Sequence, residues 1–220
     1  MTNLRARPTL ALDNPSPEEA PRRALVTVHA ASLSSGTPVC LRGTAITPVR
    51  PFIDQHFGPG GWARYLEGLG APARAIFDQI VTPLGWYPFA VGLDLVDGIV
   101  KLGEARPGVL REFAAYNLDY ATNLVFRAIF KLGTPQFMVS RSDQVWKRFY
   151  SHGRMECDAA AGRARVRLYE FPYANGNYKK LVGHSIEAVL NKAGATSLRA
   201  RYAESALMGD EFAEYLFDWQ

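Results

Sequence analysis

The sequence has few of the residues that form disulfide bonds in a secreted protein or bind a metal ion. Its 220 residues include two cysteines and four histidines. Cys40 and Cys157 lie far apart and form no CxxC pair, so they predict two reduced thiols in a cytoplasmic protein. The histidines show no i, i+4 pairing and no neighbouring cysteine, and a metal needs three or four convergent ligands. They are His29, His56, His152 and His184.

Common catalytic and nucleotide-binding motifs are also absent. There is no GxGxxG or GxxxxGK[ST] phosphate loop, no GxSxG nucleophile elbow and no HExxH helix. No apolar run approaches the ~20 residues that cross a bilayer. The 25 Lys and Arg against 21 Asp and Glu give a formal charge of +4, and these cations are spread along the chain, unlike those of nucleic-acid binders. The sequence therefore predicts no nucleic-acid partner, no membrane span and no catalytic residue.

What the sequence does have is the composition of one globular domain. Hydrophobic residues make up 48% and charged residues 21%, which is typical of a folded chain. Residues 1–22 contain four prolines and no apolar signal region, so we expect a disordered or loosely attached tail. Residues 23–220 are then expected to form a single domain.

The first two thirds of this domain have mostly helical spacing. Residues 24–33 are short, apolar and partly β-branched, which predicts a strand. Residues 39–41 predict either a second short strand or a lead into the helices. Apolar residues then recur every three or four positions between glycine and proline breaks. These stripes begin at Val49, Trp62, Ile76, Leu93, Leu110 and Phe137, and the longest predicted helix covers residues 107–132.

After residue 153 the spacing changes from a helical period to a period of two. Residues 154–158 and 164–171 predict a β-hairpin, and a helix follows over 181–190. Residues 197–203 and 212–219 predict a second hairpin that turns at 208–210. The order strand, helices, ββαββ predicts an α+β fold with a helical layer packed on a four- to five-stranded antiparallel sheet.

A small-molecule pocket is the best candidate for a functional site. Such pockets have apolar walls with a few polar groups, and the long predicted helix places Asn117 and Tyr120 on or beside an apolar stripe. His56 shares its helix face with two phenylalanines, and two aromatics precede another helix. The alternative for all of them is ordinary core packing. The predicted ligand-binding residues are His56, Trp86, Tyr87, Phe113, Tyr116, Asn117, Tyr120 and Leu124.

The order of several short motifs resembles an uncharacterised family of similar length, with many paralogues in myxobacteria. More distantly, it resembles the superfamily of 4-vinyl reductase-type, haem NO-binding and TRAPP-like domains. This resemblance implies an α+β fold with a pocket between helices and sheet, in which relatives bind small apolar molecules, haem or an acyl chain to regulate a partner. The motifs are Gly43, Phe57-Gly58, Gly85-Trp86-Tyr87-Pro88, Gly133-Thr134-Pro135, Val145-Trp146, Gly153, Tyr169 and Phe217-Asp218-Trp219.

The sequence departs from these relatives at their cofactor motifs. Haem-binding relatives have a proximal histidine on a helix and a Tyr-x-Ser-x-Arg motif. Here Tyr150-Ser151-His152-Gly153-Arg154 has a different spacing, and no histidine lies between residues 57 and 151. The 4-vinyl reductase-type domains often carry cysteines near the final hairpin, and residues 204–213 have none. We therefore expect neither haem nor zinc, and the cofactor stays unknown.

Three functions are compatible with these patterns. The leading hypothesis is a non-enzymatic sensory or regulatory domain that binds a small, largely apolar ligand between the long helix and the sheet. It would signal to a protein partner or a homodimer mate. The alternative is a dimeric structural or interaction module without a small ligand. The third is an enzyme whose residues converge only in space, with His56, Tyr87, Asp94 and Tyr120 as candidates.

Overall fold

The computed structural model describes residues 38–121, 133–171, 174–203 and 212–220. All of them lie in one compact unit, Leu33–Gln220. Some predicted elements fall outside these ranges and stay predictions. They are the tail over 1–22, the strand over 24–33, the second half of the long helix and the turn at 208–210.

The first half of the described chain is helical. A short strand, β1 (Cys40–Arg42), pairs antiparallel with β2 (Trp86–Pro88). For the residues of β2, the sequence predicted only the start of a helix and no strand. The helices are α1 (Val49–Phe57), α2 (Gly61–Glu67), α3 (Ala71–Ile76), α4 (Phe89–Leu102), α5 (Val109–Ala121), α6 (Pro135–Val139) and α7 (Ser142–Phe149).

The segment between α3 and β2 corrects one predicted helix. The apolar stripe that starts at Ile76 predicts a helix through Val81, but helix α3 ends at Ile76, the first residue of that stripe. Backbone bonds from Gly43 and Thr44 to the carbonyls of Gly85 and Pro83 hold the segment in a non-helical path. The approach is so close that a Cβ on Gly43 would lie 2.1 Å from a backbone oxygen.

The second half of the chain forms the predicted antiparallel sheet. Its strands are β3 (Arg154–Ala160), β4 (Arg163–Tyr169), β5 (Arg199–Tyr202) and β6 (Phe212–Asp218), in the order β3-β4-β6-β5. Alternate residues of β4, including Val166 and Leu168, are buried, as the period of two requires. The structure thus has the expected α+β architecture.

One long helix, α8 (Gly176–Lys192), lies between this sheet and the other helices. It begins at Asn175, whose side chain accepts a hydrogen bond from the backbone N–H of Tyr178. One face packs on the sheet so closely that a Cβ on Gly183 would lie 2.5 Å from the Tyr202 ring. The opposite face is turned to α4 and α5. Helix α8 therefore lies between the helical layer and strands β5 and β6, while α6 and α7 pack directly on β3 and β4.

A buried carboxylate joins α5, α8 and β5. Glu187 is 5% exposed, and its oxygens lie 2.9 Å from Arg111 Nε, 2.9 Å from the Tyr202 hydroxyl and 3.0 Å from His184 Nδ1. Desolvation alone would raise the pKa of Glu187, but the hydrogen bonds from His184, Arg111 and Tyr202 lower it to about 2. The ionised carboxylate therefore stabilises the folded state.

We expect Glu187→Gln to lower the free energy of unfolding at pH 7 by about 2–3 kcal/mol. Because the folded pKa lies below the ordinary value of 4.5, this stabilisation is complete above that value and is lost as the pH falls toward 2. Urea denaturation at several pH values should show the gap between wild type and variant narrowing over this range. Glu170→Gln, at an exposed side chain, is the control. A gap that is equally wide at pH 6 and pH 3 contradicts the account.

Candidate functional site

An apolar cavity of about 190 Å³ lies within the helical layer. Only Met155 comes from the four-stranded sheet among the lining residues that the structure describes. The cavity was expected between the long helix and the sheet, but α8 covers the sheet at this point, so the cavity lies mainly between helices. The principal wall residues are Leu95, Val96 and Ile99 of α4, Phe113, Ala114 and Asn117 of α5, Val145 and Trp146 of α7, and Leu181, Val182 and Ser185 of α8.

Small side chains at helix–helix contacts leave this space. Ala114 and Ala121 on α5 line the cavity, whereas larger side chains at such positions normally fill an interior to high density. Larger neighbours such as Phe113 and Ile99 surround the space and are nearly fully buried. The cavity is therefore a feature of side-chain size along regular helices and needs no distortion of the backbone.

Few polar groups reach the cavity, and most of them already have partners. The Ser185 hydroxyl donates to the carbonyl of Leu181 at 2.8 Å, and the Ser142 hydroxyl donates to the carbonyl of Val139. Asn117 also lines the cavity, and its Oδ1 has no hydrogen-bond partner in the part of the chain that the structure describes. This atom has almost no accessible surface, so it lies behind the cavity wall and is not exposed to the cavity.

Two tyrosines at the cavity form a hydrogen-bonded pair. The hydroxyls of Tyr150 and Tyr178 lie 2.9 Å apart. Desolvation raises the pKa of Tyr150 to about 12, although its bond with Tyr178 acts in the opposite direction, and the pKa of Tyr178 is also raised by desolvation. Both phenols are thus protonated at neutral pH. The mutual bond uses one hydroxyl proton, and the pair holds a second.

The structure brings two of the predicted site residues to the cavity, Phe113 and Asn117. His56 and Tyr116 instead surround Phe52 in an aromatic cluster, with ring centroids 4.3 and 5.4 Å from its ring. Tyr120 is 52% exposed and stacks on Tyr116. Leu124 lies outside the described residues.

The remaining predicted residues hold the segment around β2. Trp86 lies under the guanidinium of Arg42, with 3.9 Å between Cζ and the ring centroid. The Tyr87 hydroxyl accepts a hydrogen bond from the backbone N–H of Thr82 at 2.9 Å. Neither side chain lines the cavity.

The four candidates for a converged active site are engaged in local contacts. Asp94 accepts a hydrogen bond from the backbone N–H of Gly70 at 2.9 Å, just where α3 begins. The Nδ1 atom of His56 lies 3.0 Å from the carbonyl oxygen of Phe52. Tyr87 and Tyr120 have the surroundings given above. His56 and Tyr120 both contact the ring of Tyr116, whereas Tyr87 and Asp94 make their hydrogen bonds to the backbone of Thr82 and Gly70.

Several lining residues were missed at the sequence level. Trp146 and Tyr178 are 4% and 3% exposed and lie on α7 and α8, remote in sequence from the long helix. Trp146 Nε1 donates to the carbonyl of His152 at 2.8 Å, which fixes its indole ring against the cavity. The apolar stripes of α7 and α8 were visible, but nothing in their spacing showed that they face the same space as α5.

Both cysteines are free, partly buried thiols. Desolvation, with a contribution from Asp158, raises the pKa of Cys157 to about 11, and desolvation also raises that of Cys40. Within the described ranges, no three His, Cys, Asp or Glu side chains are grouped to hold a metal ion. No helix there is long and apolar enough to cross a membrane.

Comparisons with known proteins give similarity in structure but not in sequence. No protein-family model matches the chain, and no curated protein matches it significantly. The resemblance to a myxobacterial family therefore stays a prediction.

Solved structures of H-NOX proteins match most of the chain. An unliganded Fe(II) H-NOX mutant from K. algicida matches with a TM-score of 0.60 and 11% identity, covering 82% of this chain and 97% of that one. An Fe(II) H-NOX mutant from S. oneidensis matches with a TM-score of 0.57 and 12% identity, covering 82% of this chain and 96% of that one. An oxygen-binding H-NOX domain related to soluble guanylate cyclases matches with a TM-score of 0.53 and 13% identity, covering 82% of this chain and 95% of that one. The chain therefore has the H-NOX fold.

Proposed function

We propose that this protein is a non-enzymatic sensory or regulatory domain that binds a small, largely apolar ligand in the cavity between α4, α5, α7 and α8. The observation that carries the proposal is the apolar cavity within the helical layer. The fold supports it, because one structural neighbour is an oxygen-binding H-NOX domain related to soluble guanylate cyclases. Binding would be favoured by roughly 25 cal/mol for each Å² of apolar surface that the ligand and the cavity walls remove from water.

Haem, which two of the matching H-NOX structures concern, does not fit the residues around this cavity. Haem iron is held by histidine, cysteine, tyrosine or a methionine–histidine pair. The lining that the structure describes has no histidine, cysteine, lysine or arginine, so it lacks both the usual axial ligand and cations for the haem carboxylates. Its tyrosines, Tyr150 and Tyr178, are protonated and bonded to each other.

The size of the cavity indicates a smaller ligand. Its 190 Å³ falls below the ~300–1,000 Å³ of pockets for drug-sized molecules, and a porphyrin is larger than most of those molecules. It slightly exceeds the ~150 Å³ engineered cavity that binds benzene or xenon. We therefore propose a ligand of about one substituted ring or a short branched chain.

The polar lining supports binding over catalysis. The phenols of Tyr150 and Tyr178 are protonated at neutral pH because their pKa values are raised, so they donate hydrogen bonds and do not act as bases. The two serine hydroxyls already donate to backbone carbonyls. These groups orient a ligand without moving its protons.

Helix α7 offers a route from the cavity to the protein surface. Val145 and Trp146 line the cavity, and the same helix is tied to β3 because Asp143 accepts a hydrogen bond from the backbone N–H of Met155 at 3.0 Å. Strand β3 is an edge strand of the sheet. A ligand that shifts α7 would therefore move the exposed edge of β3, to which a protein partner or a dimer mate could bind.

We expect toluene to raise the thermal stability of the purified protein. At tenfold its dissociation constant, a ligand that binds only the folded state adds about 1.4 kcal/mol to the free energy of unfolding. Differential scanning calorimetry over a toluene series should show a midpoint that rises with concentration. A midpoint that stays constant or falls up to the solubility limit of toluene contradicts the proposal.

The same samples also distinguish the proposed ligand-binding domain from the alternative function, a dimeric interaction module without a ligand. One observation favours it: Ile80 and Leu84, which both belong to the segment between α3 and β2, are 90% and 79% exposed. Light scattering that shows a concentration-dependent dimer, combined with no stabilisation by toluene, supports the module. A toluene-stabilised protein supports the ligand-binding domain in either oligomeric state.

A further inference from the structure

We infer that the ligand enters the cavity at Val145 of α7, and that the size of this side chain limits the rate of entry. This inference rests on the proposed function and adds the route that the ligand takes. It starts from a residue that both lines the cavity and is exposed to solvent.

Val145 separates the cavity from the surrounding water. It lines the cavity and is 45% exposed. It is the one exposed residue among the lining residues that the structure describes. Because a valine side chain is small, a few methyl groups face the cavity on one side and solvent on the other. The cavity wall is therefore one small side chain thick at this point.

The burial of the lining residues shows that the cavity is closed on the side of α4. Leu95 and Ile99 of α4 are 2% and 0% exposed. Along α5, Phe113 is buried, whereas Ala121 is half-buried. The wall thus becomes more exposed from α4 and the first turns of α5 toward α7, where Val145 lies.

The side of α7 that carries Val145 forms the rim of an opening. Helix α7 packs on β3 and β1 but scarcely on the described part of α5. Ser142 and Phe149, one turn before and one turn after Val145, also line the cavity and are half-buried. The neighbouring Trp146 is held in place, because its Nε1 donates to the carbonyl of His152 at 2.8 Å. Passage at this rim therefore depends on the side chain at position 145.

An entrance residue affects binding rates in a way that a contact residue does not. A ligand that enters and leaves past the same side chain crosses the same barrier in both directions, so a change in that barrier alters both rate constants by the same factor. The dissociation constant then stays nearly constant. A residue that only contacts the bound ligand changes the dissociation constant, mainly through the dissociation rate.

We expect Val145→Ala to raise the association and dissociation rate constants of toluene about tenfold each. NMR relaxation dispersion at partial saturation gives the rate constants, and titration calorimetry gives the dissociation constant. Val145→Cys that has reacted with N-ethylmaleimide should lower both rate constants, because the adduct covers the entrance. Gln144→Cys, at an exposed neighbour outside the lining, is the matched control and should keep wild-type rates. The same treatment of the wild type accounts for Cys40 and Cys157.

The alanine variant alone tests the inference if the labelled cysteine variant does not fold. If toluene binds the wild type but its rate constants are the same in Val145→Ala, the ligand enters elsewhere; the inference is overturned and the proposed function stands. A change in the dissociation rate alone also overturns it, because Val145 then only contacts the bound ligand. If toluene does not bind the wild type, both the inference and the proposed function are overturned.

Discussion

Replacing Ala114 with leucine is expected to abolish the binding of toluene while the protein stays folded. Ala114 is 1% exposed and lines the cavity from α5, so the added isopropyl group projects into the space that the ligand needs. Filling a cavity restores contacts that an empty space lacks, so the thermal midpoint without ligand should be maintained or raised. Titration calorimetry should show no heat of binding for this variant.

The matched control for this experiment lies one residue away. Ala115 is on the exposed face of the same helix, so Ala115→Leu makes the same chemical change without entering the cavity. We expect it to bind toluene with the dissociation constant of the wild type. Toluene binding by Ala114→Leu with an unchanged dissociation constant would show that the ligand occupies some other place.

Replacing Phe113 with alanine is expected to reduce the free energy of unfolding by about 3–5 kcal/mol. The ring is 2% exposed, lines the cavity and lies 5.0 Å, between centroids, from the ring of Phe52. Its removal takes away one of the aromatic contacts between α1 and α5 and enlarges the cavity. Urea denaturation measures the loss, and naphthalene should bind this variant more tightly than the wild type.

Phe137→Ala is the control for this second prediction. Phe137 is 45% exposed and stacks under Arg141 at the surface, so its loss should cost less than about 1 kcal/mol. Equal destabilisation by the two substitutions would mean that Phe113 is not part of a packed wall. A destabilised Phe113→Ala that binds naphthalene no better than the wild type would contradict the position of the cavity.

The fold was predictable where local periodicity decides structure. The alternation at Val166 and Leu168 of β4 identified a half-buried strand, and the stripe over Leu181–Leu190 identified α8. Strand β2 was missed because its pairing with Cys40–Arg42 joins residues more than forty positions apart. Local preference at Trp86–Pro88 carries no information about that partner.

The site was less predictable, because a cavity depends on which helix faces meet. Phe113 and Tyr116 lie on the same helix and both pack against Phe52, but only Phe113 also lines the cavity. The sequence shows that both are aromatic but not which neighbour each one meets. Asn117 was accessible to sequence reasoning because a polar group within an apolar stripe is unusual. The small residues that create the space, such as Ala114, give no signal of their own.

The central claim is that a small, largely apolar molecule occupies the cavity between α4, α5, α7 and α8. The most direct test is a crystal structure of the protein soaked with toluene. We predict electron density for one ring enclosed by Phe113, Ala114 and Trp146. A fully packed interior without ligand density at this place would contradict the account.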